Sequence, residues 1–249
     1  MPDAGAERFF TSGDGLQLFY RDFAPLTRPP KLPVLCLPGL TRNSRDFTHV
    51  AERIRQDRRV LCADLRGRGR SQHDPVWQNY HPGTYLADLG LLLQDAGVTR
   101  CVLLGTSLGG ILSMLLAAMN PPLVAGVILN DVGPEVAPEG LARIAAYVGR
   151  HAPPASWDEA VATVRATYEI GMPGLTHAEW VTHTQRIYSD ADGVPKERAG
   201  HPLPLRARVD IDADLDGARV RRPAVERAQR QPAGDSRRVV LHPKRPPVG

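Results

Sequence analysis

The stretch that most constrains this chain is Gly105-Thr106-Ser107-Leu108-Gly109, with a further glycine at Gly110. An apolar run, Cys101 to Leu104, precedes it. After it, Leu108, Ile111, Leu112, Leu115 and Met119 recur at helical spacing. Strand, sharp turn and helix are therefore predicted, with a serine at the apex of the turn. So tight a turn puts its central residue in strained backbone angles, and the flanking positions must lack bulk. Gly105 and Gly109 meet that demand. The turn would lift a serine hydroxyl clear of the sheet, with a helix N-terminus behind it that favours developing negative charge. A tight turn carrying an incidental serine would look the same locally, so the rest of the chain has to decide.

A chain of 249 residues is long enough for one α/β domain with an inserted lid. Met1 to Glu7 is polar and no apolar segment follows, so no secretory signal is expected. The longest apolar stretch, around Ile111 to Met119, is interrupted by Ser113 and stopped by Asn120-Pro121-Pro122, which is too short to span a membrane. Cys36, Cys62 and Cys101 each lie in an apolar, strand-like run without metal spacing or a C-x-x-C pair. They read as reduced core thiols of a cytoplasmic protein. The net charge of +4 is unevenly spread. Residues 1–195 hold 18 Lys/Arg and 20 Asp/Glu, whereas residues 196–249 hold 13 and 7. The basic character therefore belongs to the tail, and a nucleic-acid partner inferred from it would be an error.

In chain order, two strand-like runs, Arg8 to Thr11 and Leu16 to Phe23, flank Gly13-Asp14-Gly15 and read as a hairpin. Val34 to Leu37 is a continuous apolar run, as expected of a strand covered on both faces. A helix opens near Ser44, with Phe47, Val50, Ala51 and Ile54 on one side. Val60 to Ala63 is the next buried strand. Thr84 is read as the cap of a helix bearing Leu86, Leu89, Leu93 and Ala96, which Gly97 stops. The serine turn and the strand Val124 to Leu129 follow. Buried strands alternating with amphipathic helices indicate a parallel sheet wrapped by helices, whose ligands bind at the carboxyl ends of the strands. Leu40, Asp64, Ser107 and Asp131 all fall at such ends. From Gly133 to Val194 the pattern reads as helices without strands. Helix starts are expected at Ser156 and Thr176, each followed three residues on by glutamate, and another helical stripe at Leu141, Ile144, Ala145 and Val148. This block is expected to form a lid.

Four motifs in order carry a resemblance. They are Leu37-Pro38-Gly39-Leu40, the stretch Asp64 to Ser71 (DLRGRGRS), the serine turn at Ser107, and Leu129 to Pro134 (LNDVGP). Together residues 7–195 resemble a member of the α/β-hydrolase superfamily. The resemblance implies an α/β-hydrolase fold: a mostly parallel sheet flanked by helices, with a helical lid and with the C-terminal strands missing from the readable pattern. The domains expected are a core over 1–133, a lid over 134–195 and an Arg/Pro-rich tail over 196–249, expected to be disordered. The family usually has histidine where this chain has Pro38.

The same resemblance implies that Ser107 is a nucleophile and that the backbone N–H groups of Leu40 and Leu108 form an oxyanion hole. Some superfamily members place the catalytic acid after the sixth strand, where Asp131 stands, and more often it follows the seventh; a turn or capping role is the alternative for Asp131. The base belongs after an eighth strand. His201, in Gly200-His201, has the local form without the strands; His242 follows the strand-like run Val239 to Leu241, with no partner strand readable nearby. Asp46 and Asp64 read as structural. His49, His73, His81, His151, His177 and His183 do not match the family's base. The arginine-glycine loop has no interleaved aromatics and is not followed by the glycine that a dinucleotide fingerprint needs, so it reads as a structural turn. The partner expected is a small ester, lactone or thioester, with no cofactor, metal, nucleic acid or membrane. The alternative is a non-catalytic member of the fold.

The tail stands apart. All 14 aromatic residues lie at or before Tyr188, and residues 196–249 hold 11 arginines and 7 prolines. Such a segment cannot supply two buried parallel strands. A reading-frame shift near Val194 is the expected cause.

Overall fold

The computed structural model describes residues 5–135 and 154–197 and the strand Val240–Leu241. The chain opens with a hairpin of β1 (Ala6–Thr11) and β2 (Gln17–Phe23), followed by β3 (Lys31–Leu37). A single 3-10 turn, Ser44–Phe47, leads into α1 (Thr48–Ile54), and then come β4 (Arg58–Ala63) and α2 (Pro82–Asp95). The serine turn joins β5 (Cys101–Thr106) to α3 (Leu108–Met119), and β6 (Val124–Asn130) follows. Two further helices, α4 (Trp157–Tyr168) and α5 (His177–Ile187), precede a small hairpin of β7 (Tyr188–Ala191) and β8 (Val194–Glu197). Val240–Leu241 is β9.

The main sheet has the order β1-β2-β4-β3-β5-β6-β9. Strands β4, β3, β5 and β6 run parallel, while β1 and β2 join one edge antiparallel and β9 pairs antiparallel with β6 through Val127 and Ile128. This is the mostly parallel, helix-flanked architecture expected. The strand period of two divides the core. Leu35 and Leu37 of β3 face a cluster with Leu61, Leu103, Leu89, Leu92 and Leu112, under α2 and α3. Val34 and Cys36 face the opposite side, with Phe23, Val60, Cys62, Ala51 of α1 and Phe47 of the 3-10 turn. Burying each of these leucine, valine and phenylalanine side chains stabilises the fold by roughly 1.5–3 kcal/mol.

Some local expectations need correction. The cap of α2 is His81, whose ring nitrogen accepts from the Gly83 N–H at 3.1 Å, and not Thr84. Pro82 takes the first helical position, where its missing N–H costs nothing, so the cap must precede it. In α3, Leu108, Ile111, Leu112 and Leu116 are buried, but Met119 is exposed because the last turn runs past the strands that the helix packs on. The stretch to Val194 is not purely helical. Asp192 and Gly193 both have positive φ and close the β7–β8 hairpin with a two-residue loop, as Asp-Gly does best. That pairing continues to Glu197, across the position where the tail was expected to begin. Val240–Leu241 does have a strand partner, β6.

The helices α4 and α5 have a small core of their own, built from Ala160, Val161, Val164, Trp180, Ile187 and Tyr188. Both starts are capped as expected. Thr176 and Glu179 form the full reciprocal box, whereas Glu159 reaches back past Ser156 to the Ala155 N–H. The block is tied to the loop after β3, where Asn43 Nδ2 donates to the Arg186 carbonyl at 3.0 Å. The stripe at Leu141, Ile144, Ala145 and Val148 lies outside the described residues. No helix of the described residues is long and apolar enough to cross a membrane.

Candidate active site

Ser107 sits between β5 and α3 at φ +50°, ψ −118°, a backbone state that costs a non-glycine residue on the order of 1–3 kcal/mol. Its neighbours show what enforces this. A Cβ on Gly105 would lie 2.3 Å from the Gly109 carbonyl oxygen, and one on Gly109 would lie 2.1 Å from the Leu37 carbonyl oxygen. A Cβ on Gly110 would meet the Val132 side chain at 2.3 Å. The first turn of α3 is thus pressed directly onto β3 and β5, and only glycines permit it. The Ser107 N–H donates to the Asn130 carbonyl at 3.0 Å, so the end of β6 braces the apex. Ser113 is buried and donates back to the Gly109 carbonyl at 2.7 Å. The Ser107 side chain has no hydrogen-bond partner among the described residues.

The loop after β3 runs beside this apex. Around Gly39 the space is shared: a Cβ there would be 3.6 Å from Arg42 Cγ and 3.7 Å from Ser107 Cβ. Among the described residues neither the Leu40 N–H nor the Leu108 N–H has an acceptor. The Leu108 N–H opens a helix, whose first donors have no intrahelical partner. Leu40 is held in place by its carbonyl, which accepts from Arg68 Nε at 2.9 Å. Arg68 is itself buried between the Tyr80 and Tyr85 rings, 5.4 Å from each centroid, and donates to the Tyr85 hydroxyl. The arginine-glycine loop is thus turned inward, with Arg66 buried on Asp14, Asp74 and Asp88. Arg66 and Ser12 hold the Asp14 carboxyl down at about 2. Burial pushes Asp88 upward, outweighing its bond to Arg66. Asp64 accepts from the Ser44 and Arg70 N–H groups at 2.6 and 2.8 Å, yet burial still raises its pKa. Gly69 has to be glycine because a Cβ would fall 2.0 Å from Asp64 Oδ2. The sequence marks this loop as a turn but does not give the direction of its three arginines, so the reach of Arg68 to the Leu40 peptide is visible only in the fold.

Asp131 directly follows β6, one residue after the carbonyl that braces Ser107. It is exposed, at φ +57°, with no hydrogen-bond partner among the described residues. His201 and His242 lie outside the described residues. The described histidines are engaged or distant in role. His73 bonds the Tyr80 hydroxyl, His81 caps α2, and His49 and His177 are exposed. His183 packs edge-on against Tyr168 and Trp180, and burial with the nearby Arg42 charge lowers its pKa to about 4. Arg42 grips Asp46 through Nε and Nη2 at 2.6 and 2.7 Å. Among the described residues no group of three or more His, Cys, Asp or Glu side chains is placed to hold a metal.

Comparison with known proteins follows the same lines. Residues 33–183 match the family described as alpha/beta hydrolase fold. The crystal structure of an alpha/beta hydrolase from Novosphingobium aromaticivorans is 42% identical, with a TM-score of 0.76, over 83% of this chain and 73% of that one. A 3-hydroxybutyrate-oligomer hydrolase of Cupriavidus necator is 38% identical over 133 residues, which is 53% of this chain and 45% of the relative. An sn-1-specific diacylglycerol lipase of Danio rerio is 34% identical over 106 residues, 42% of this chain and 32% of the relative. The chain therefore spans less than half the length of these curated relatives. The match over residues 33–183 takes in the Leu40 loop, the arginine-glycine loop, the serine turn and the strand that braces it, and on that basis the chain belongs to the α/β-hydrolase fold family.

Proposed function

We propose that the chain is a serine hydrolase acting on a small ester, lactone or thioester through an acyl-enzyme intermediate. The observation that carries this is the Ser107 turn, a strained serine with an uncommitted side chain at the N-terminus of α3. In this reading the Ser107 hydroxyl attacks the substrate carbonyl, and the Leu40 and Leu108 N–H groups receive the oxyanion. Among the described residues both donors lack another acceptor, and Arg68 keeps the Leu40 peptide oriented. Asp131 is the proposed acid. The base is proposed among His201 and His242. Collapse of the tetrahedral intermediate expels the alcohol or thiol, and water then releases the acid from Ser107. The hydrolase names of the relatives support the reaction class. Helices α4 and α5, with their separate core, would act as the lid.

A second reading has an observation of its own: no described histidine is hydrogen-bonded to Ser107. A serine without a base is a poor nucleophile, which would leave a ligand-binding or defective member of the fold. A fluorophosphonate probe separates the two. Labelling of the folded protein that disappears in Ser107→Ala, together with loss of p-nitrophenyl butyrate hydrolysis, supports the enzyme. Labelling or turnover that persists in Ser107→Ala removes Ser107 from the mechanism. A folded wild-type protein that never labels supports the binding module.

A further inference from the structure

Arg66 and Arg68 stand two residues apart in one loop, each only 2% exposed, and the fold treats their charges differently. Arg66 is gripped by the carboxylates of Asp14, Asp74 and Asp88. Arg68 has no carboxylate in ion-pair range among the described residues. Its hydrogen-bond partners are all neutral: Nε donates to the Leu40 carbonyl at 2.9 Å, and Nη1 to the Arg66 carbonyl at 2.7 Å and the Tyr85 hydroxyl at 2.9 Å. The Tyr80 and Tyr85 ring faces stabilise the cation, but rings without net charge do not neutralise it. A buried charge without a counter-ion strongly destabilises a fold, so its retention calls for a reason.

The loop is shaped to keep it there. Gly67 has φ +71°, and a Cβ on it would fall 2.6 Å from the Tyr80 hydroxyl, so the backbone is pressed onto a ring that covers Arg68. The guanidinium is thereby held against the turn after β3, in which the Arg42 N–H donates to the Gly39 carbonyl at 3.1 Å. The Gly39–Leu40 peptide is trans, so the Leu40 N–H points opposite to that carbonyl, out of the turn. The next peptide, Leu40–Thr41, is fixed by the Arg68 bond to its carbonyl. Leu40 is therefore held on one side by a neutral bond and on the other by a full positive charge.

One alternative is charge balance. The three carboxylates on Arg66 exceed its single charge, and a second cation nearby offsets them. Balance alone, however, asks for no bond to Leu40. Arg68 directs Nε to the Leu40 loop, whose Gly39 lies beside Ser107.

We infer that Arg68 is a positioning residue whose un-neutralised charge, carried to the Leu40 loop through the Leu40 carbonyl, favours an anion at the Leu40 and Leu108 N–H groups. The inference rests on reading those groups as an oxyanion hole, and it goes beyond orienting the peptide, because charge and orientation have separable effects. The cation stands one residue and two hydrogen bonds from such an anion, roughly 8–10 Å. At an effective dielectric of about 20, two unit charges so placed favour binding on the order of tenfold.

Anion binding to the Ser107→Ala protein tests this without turnover. With 15N-labelled leucine, the Leu40 and Leu108 amide signals are followed as butyrate or the neutral butyramide is added. Butyrate should shift both signals saturably. Arg68→Gln keeps a donor for the Leu40 carbonyl but removes the charge. It should weaken butyrate on the order of tenfold and leave butyramide within about twofold. Arg68→Lys, which keeps the charge, should retain most of the butyrate affinity. Equal affinity for butyrate and butyramide, or butyrate that moves neither amide, overturns the inference even if the glutamine variant fails to fold. Equal losses in the glutamine and lysine variants would reduce Arg68 to orientation alone. A glutamine variant that melts earlier yet binds butyrate as before would make Arg68 a counter-ion for the aspartates. Fluorophosphonate labelling of the unsubstituted protein tests Ser107 separately, so either idea can fail without the other.

Discussion

Strands β3 and β6 carry the same signal in sequence and meet opposite fates. Val34-Leu35-Cys36-Leu37 and Val124 to Leu129 are both continuous apolar runs entering a parallel sheet. In β3 the four residues are at most 4% exposed, flanked by β4 and β5 and covered on both faces. In β6 no residue is buried, and Ile128 is 42% exposed. The difference lies in the neighbours. Beyond β6 the described sheet offers only the two-residue antiparallel strand Val240–Leu241. A near-continuous apolar strand belongs in the interior of a parallel sheet, so β6 has the composition of a central strand in the position of an edge. The contrast extends to the loops at the strand ends, because the Leu40 carbonyl after β3 is held by Arg68, while Asp131, after β6, has no hydrogen-bond partner among the described residues.

The largest expected effect follows from that imbalance. The coding DNA beyond codon 194, translated in the other two frames, should give two apolar strands, an aspartate after the first and a glycine-histidine after the second. A chain rebuilt in that frame should hydrolyse p-nitrophenyl butyrate on the order of 10⁴–10⁶-fold faster than the present one, the difference between a complete and an incomplete triad. If neither frame supplies those features and His201 or His242 proves to lie within hydrogen-bond reach of Ser107, the frame-shift idea is wrong.

The next two tests compare the two strands directly, by urea unfolding. Gly109→Ala drives a methyl group into the Leu37 carbonyl of β3 and should cost about 3 kcal/mol or more, along with the geometry of the serine turn. Gly126→Ala in β6 meets nothing within 4 Å and should be neutral or stabilising by up to about 1 kcal/mol. A heavy penalty at Gly126 would mean that other parts of the chain pack on β6. Leu35→Ala should lose about 2–5 kcal/mol, whereas Ile128→Ala should lose under about 1. Similar losses at both positions would erase the contrast.

The smallest effect concerns the junction with α4 and α5. Burial and the Arg42 charge hold the His183 pKa near 4 in the folded protein, against 6.5 for the free group. Between those values the unfolded chain takes up a proton that the folded one refuses. Stability should therefore fall as the pH drops from 6.5 toward 4. In His183→Phe that part of the pH dependence should vanish, measured as the urea midpoint across the same window. An unchanged profile would place the imidazole in contact with solvent.

The sequence alone carried the elements whose signals are local and repeated. The glycines around Ser107, the alternation of apolar strands with amphipathic helices, and the capping residues at Ser156 and Thr176 all act within a few positions of themselves. The Asp192-Gly193 hairpin was equally legible, and the helical pattern before it drew the reading away. What the tertiary structure decided depends on partners distant in the chain. Only folding brings Arg68 to the Leu40 carbonyl, Asn130 to the Ser107 N–H, and Arg42 to Tyr168 at the end of α4. Burial is likewise a property of neighbours, which is why two strands of one composition end as a core strand and an exposed one. A sequence states what a segment is suited for, but the surroundings it meets are settled by contacts that no local pattern encodes.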